Sequence, residues 1–147
     1  MNYIKQEKNS LIINRQQVYE IISEGEGDTK LVVRRLLTLL GFKSKLLGTQ
    51  YLQDAILYRY ANLGTMYAGM TNRAYIAVAD KWNSTSTRVE RAIRNSIVNC
   101  YIHGALKSFN DLSQAPIIDT EFAPSNGEFM CSVVNWLQLE MQSDQEK

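Results

Sequence analysis

Apolar residues recur along this chain at intervals of three and four, the spacing of helices that each bury one side. Leu31, Val32, Leu36, Leu39 and Leu40 mark one such helix, capped by Asp28 or Thr29 and ended by Gly41. A second opens at Thr49 and presents Tyr51, Leu52, Ala55, Ile56, Tyr58 and Leu63. A third starts at Thr71, with Tyr75, Ile76, Val78, Ala79 and Trp82 as core positions. Beyond a polar turn, Trp82-Asn83-Ser84-Thr85, a fourth begins at about Ser86 and carries Val89, Ala92, Ile93, Ser96, Ile97 and Cys100 on one stripe. After His103-Gly104 a short helix spans roughly Leu106 to Leu112, and an irregular stretch follows from Ser113 to Pro124. The last helix starts at Ser125, where Ser125 and Glu128 fit a capping box, and runs through Phe129, Val133, Val134, Trp136, Leu137 and Met141. The pattern predicts an all-α fold: a compact multi-helix bundle containing a helix-turn-helix, over residues 29–142. A frayed tail, 143–147, is expected after it and an N-terminal extension, 1–28, before it. In that extension Leu11-Ile12-Ile13 suggests a short extended piece. Asn14 is placed to cap a helix through Val18, Ile21 and Ile22 that Gly25 and Gly27 break.

The fourth helix has a second side. At 100° per residue Thr87, Arg88, Arg91, Arg94 and Asn95 fall opposite the apolar stripe, and Ser84 or Thr85 is placed to cap the helix. Two helices joined by a short turn, with donors near the exposed start of the second, form the arrangement that enters the DNA major groove. Arg88 and Arg91 are therefore candidates to pair with guanine O6 and N7. Glu90 is a candidate to accept from cytosine N4 or to orient an arginine. Lys81, Thr85, Thr87, Arg94 and Asn95 are candidates to fix register on phosphates. Spacing alone fits a solvated helix face equally well, with Glu90 and Arg94 paired at i,i+4.

Charge changes the picture. A net charge of +1 gives little reason to expect a nucleic-acid partner, yet residues 29–107 hold twelve basic against three acidic side chains, and the two ends hold four against twelve. Such a middle suits a phosphate backbone. Arg34, Arg35, Lys43 and Lys45 belong to it, more as solvated charges than as contacts. Tyr51, Tyr58, Tyr60 and Tyr67 follow helical periodicity and read as core rather than as a stacking platform for bases.

No apolar run reaches the roughly 20 residues that span a bilayer, and the N-terminus lacks the order of a signal peptide, so a cytoplasmic, nucleoid-associated protein is expected. Cys100 and Cys131 lie in apolar helical stretches without metal-ligand spacing and are expected to be reduced and buried. His103, the single histidine, stands three residues after Cys100 at a helix end, where a cation is favoured electrostatically. Neither it nor any nucleotide-binding, hydrolase or zinc-protease motif supports catalysis. No enzyme activity, cofactor or metal is expected.

The run Ala79-Asp80-Lys81-Trp82-Asn83-Ser84-Thr85-Ser86-Thr87-Arg88-Val89-Glu90-Arg91-Ala92-Ile93-Arg94 resembles the signature of the C-terminal effector domain of the master response regulator that initiates sporulation in spore-forming Firmicutes. Gly48-x-x-Tyr51-Leu52-x-x-Ala55-Ile56 and Pro124-Ser125-Asn126-Gly127-Glu128-Phe129 match it as well, so the resemblance covers about Thr29 to Met141. Asn95 replaces a histidine of the family pattern, and the connector around Gly69-Met70 is about one residue longer. The resemblance implies an all-helical DNA-binding module whose recognition helix, about 86–101 here, carries Arg88, Glu90 and Arg91. It implies a transcription regulator of double-stranded DNA that binds as tandem copies or a homodimer, with RNA polymerase as a further partner. In that family the effector follows a receiver domain of roughly 100 residues or more, which 28 residues cannot supply. The aspartyl-phosphate switch is therefore expected to be absent from this polypeptide. Two other readings stay open: a plasmid or phage DNA-binding accessory factor that marks an origin or competes for regulator boxes, and a protein-interaction module without DNA binding.

Overall fold

The computed structural model describes residues 15–25, 27–65, 71–113, 118–119 and 121–145. Leu11-Ile12-Ile13, the Asn14 cap, Tyr67 and the Gly69-Met70 connector lie outside them, as does part of the irregular stretch before Pro124. The described residues form seven α-helices: α1 (Arg15–Gly25), α2 (Thr29–Leu39), α3 (Leu47–Ala61), α4 (Thr71–Trp82), α5 (Ser86–His103), α6 (Phe109–Ser113) and α7 (Asn126–Gln145). A 3-10 turn, Leu106–Ser108, precedes α6, and no strand occurs among the described residues.

Capping chemistry sets most of the boundaries. Asp28 accepts from the backbone N–H of Leu31 at 3.3 Å and starts α2. Gly41, at φ +100°, ends it: the Phe42 N–H reaches the Leu37 carbonyl and the Gly41 N–H reaches that of Thr38. Phe42 is thereby turned into the core. At α7 Ser125 caps the Glu128 N–H at 3.1 Å, and the helix continues through Gln145, past the boundary expected at 142.

α3 lies at the centre, packed against α2, α4, α5 and α7, while α1 rests on α2 and α7 with Ile21 and Ile22 buried. It begins at Leu47 rather than Thr49, because its first turn must bring Gly48 against α5. A Cβ at Gly48 would stand 2.1 Å from Ser96 Oγ and 2.5 Å from the Ala92 carbonyl oxygen, so glycine allows the two helices to meet backbone to side chain. The far end of α5 is tied to α2. The Leu40 carbonyl receives the Ala105 N–H at 2.8 Å and the Cys100 thiol at 3.1 Å.

Some expected core positions differ. On α4 the buried side is Ala74, Tyr75, Val78 and Ala79, and Ile76 points to solvent at 48% exposure. On α7 the buried residues around Cys131 are Phe129, Met130, Val133 and Val134, which leaves that cysteine exposed instead of buried as expected. Two positions beyond Phe129 a helix has turned about 200°, away from the core.

Two outcomes follow from this packing. Gly48→Ala forces α3 off α5 and lowers unfolding stability by about 1–3 kcal/mol, read from urea denaturation. Burial pushes the Cys100 thiol up to about 12, so a thiol reagent at about pH 8 labels Cys131 alone until denaturant exposes Cys100.

Candidate nucleic-acid interface

The turn between α4 and α5 is a helix stop followed at once by a helix start. Asn83 takes φ +52°, the Ser84 N–H returns to the Ala79 carbonyl at 2.8 Å, and the Asn83 N–H returns to Asp80. This is the left-handed termination usually given to glycine, supplied by asparagine. Thr85 then adopts extended backbone and its hydroxyl accepts from the Arg88 N–H at 3.2 Å, which starts α5 at Ser86 as expected.

Val89, Ile93, Ile97 and Cys100 of α5 are buried, with Ala92 and Ser96 half-buried beside them. Thr87, Arg88, Glu90, Arg91 and Asn95 are exposed. Among the described residues neither Arg88 nor Arg91 spends its guanidinium on a hydrogen bond or ion pair. They stand three residues apart, a rise of about 4.5 Å along the helix axis. That is slightly more than the roughly 3.4 Å between stacked bases on one strand. Two adjacent base pairs are within reach of such a pair of side chains.

The remaining expected contacts are already engaged within the protein. Arg94 is half-buried and donates to the Pro124 carbonyl, so the i,i+4 ion pair with Glu90 does not form. Lys81 lies 3.1 Å from the Asp54 carboxylate of α3, yet keeps 57% of its side chain exposed. The same carboxylate accepts from Trp82 Nε1 at 2.7 Å, and the indole meets Tyr51 edge-on at 5.7 Å. Trp82 is thus a partly exposed wedge at the turn rather than a core residue.

Behind α5 a polar brace joins three helices to the start of α7. Asn126, buried, donates through Nδ2 to the Glu90 carbonyl and to the Tyr75 hydroxyl, both at 3.1 Å. Arg59, buried on α3 without a carboxylate partner among the described residues, donates to the Gly127 carbonyl at 3.2 Å. With Arg94 on Pro124, residues 124–127 receive polar links from α3, α4 and α5. Burial raises the Tyr75 phenol above its usual value, against the opposing pull of the Asn126 bond, so the hydroxyl keeps its proton at neutral pH. Sequence reasoning missed Asp54, Arg59 and Asn126 as positioning residues. Arg59 alone left a signal, for it continues the buried Leu52, Ala55, Ile56 stripe with a charge.

A cleft of about 640 Å³ opens beside this brace, and its rim carries Glu90, Asp119 and Glu128 against Arg94.

A buried stripe behind exposed arginines, a three-residue turn (83–85) and a second helix to hold it define a helix-turn-helix DNA-binding module. The profile of the family described as Sporulation initiation factor Spo0A C terminal matches residues 33–137. The chain belongs to that family, a helical DNA-binding domain of a transcription regulator. No described helix is long and apolar enough to cross a membrane.

Removing the brace tests its importance for the fold. Asn126→Ala removes the donor shared by the Tyr75 hydroxyl and the Glu90 carbonyl and lowers unfolding stability by about 1–3 kcal/mol, measured by chemical denaturation followed by circular dichroism.

Proposed function

We propose that this chain is a sequence-specific transcription regulator that enters the major groove with the exposed side of α5. The observation that carries the reading is the pair Arg88 and Arg91, exposed and uncommitted at the start of a helix whose other side is fixed in the core. In this reading Arg88 and Arg91 pair with guanines, while Glu90 accepts from a cytosine or orients an arginine. Thr87 and Asn95 hold phosphates directly, and Thr85 does so with the hydroxyl proton that its cap leaves free. Lys81 reaches the backbone from its exposed Asp54 pair, and Arg94 contributes through donors beyond the one given to Pro124. The positive end of the α5 dipole supports the same anionic partner.

The reading extends to short boxes occupied as tandem copies or by a homodimer, with RNA polymerase as the protein partner.

Selection of bound duplexes from a random pool, followed by binding of variants to the selected box, tests the proposal. Arg91→Ala lowers discrimination at one base pair by about 1–3 kcal/mol and leaves the other positions unchanged. A uniform loss across all duplexes would make Arg91 a phosphate contact, and equal binding by wild type and variant would remove it from the interface.

A further inference from the structure

We infer that a cationic groove beside the turn, formed by Lys30 and Arg34 of α2 with Lys81 of α4, holds the DNA backbone flanking the bases that α5 reads. The inference rests on the DNA-binding reading above and extends it to residues outside the helix-turn-helix. Two adjoining depressions of about 310 and 240 Å³ share Lys30, Asp54 and Lys81, and the second is completed by Arg34 and Trp82. Lys30 and Arg34 stand four residues apart on the exposed side of α2, and no other described residue pairs with either side chain.

Three cations thus surround a single carboxylate. Asp54 is already occupied on both oxygens, by Lys81 and by Trp82 Nε1, so it orders the groove wall without neutralising the two α2 cations. Gln50, Gln53 and Ser44 line the same depression, side-chain types that commonly meet sugar and phosphate oxygens.

The position fits the partner. Trp82 at the groove rim and Ser86 at the start of α5 are four residues apart, so they lie within about 14 Å of each other whatever path the chain takes. The major groove of B-DNA is about 12 Å wide. With the start of α5 between the backbones, the Trp82 rim is no farther away than about one groove width, within reach of the neighbouring phosphates.

The test is the salt dependence of full-chain binding to the selected duplex and to a scrambled one, by fluorescence anisotropy between about 50 and 300 mM KCl. Lys30→Gln with Arg34→Gln should reduce the slope of log affinity against log salt by about 1.8, at about 0.9 per phosphate contact. Affinity should fall equally on both duplexes, with base discrimination intact. Lys107→Gln, in the 3-10 turn beyond the far end of α5 and with its ammonium over the Tyr101 ring, controls for lost positive charge and should leave the slope unchanged. Trimming the flanking base pairs should abolish the difference between the double variant and wild type. A wild-type slope retained in the double variant, or an equal drop in the Lys107 control, overturns the groove while leaving the reading of α5 intact. Absence of wild-type binding to any duplex overturns the DNA reading itself.

Discussion

The contact on which the rest depends is the seating of α5 against α3 at Gly48. Four buried α5 residues, Val89, Ile93, Ile97 and Cys100, fix the helix by one side, and the missing side chain at Gly48 lets α3 come up to the Ala92 carbonyl. Burial of such side chains contributes about 1.5–3 kcal/mol each, far more than any solvent-exposed charge pair in the molecule. The arginines on the outer side can therefore be exposed and uncommitted because the helix owes its position to the other side.

Polar links then set orientation, which apolar packing leaves comparatively free. Each of α3, α4 and α5 sends one hydrogen-bonding side chain to residues 124–127, and Asp54 performs the same service at the turn by holding Lys81 and Trp82. These groups are buried or partly buried, where an unmade bond costs more than a made one contributes. The segment leading into the last helix thereby helps to fix the orientation of α5.

What could be read from the sequence was local in origin. The caps at Asp28, Thr85 and Ser125, the stop at Gly41 and the stripe on α5 all follow from residues within a few positions of one another, and they stand where the periodicity placed them. The polar brace joins residues 30 to 68 positions apart, and the Asp54–Lys81 pair spans 27. No spacing rule reaches that far. The exposure of Ile76 and Cys131 was missed for a related reason. A helical stripe is only as wide as the neighbour covering it, and that neighbour is not visible from one helix alone. Among the candidate contacts, the exposed set on α5 was legible from its angle on the helix. The engagement of Lys81 and Arg94 was not, because their partners come from α3 and from the segment before α7.

Asn83 imposes a constraint on how this module can vary. Its left-handed backbone reverses the chain between two helices, and the residue types that tolerate φ +52° without strain are glycine, asparagine and aspartate. Valine, isoleucine or threonine at that site would strain the turn that sets where α5 begins. The outer side of α5 can therefore be altered without touching the turn, whereas a change at position 83 must keep a backbone that few side chains accept.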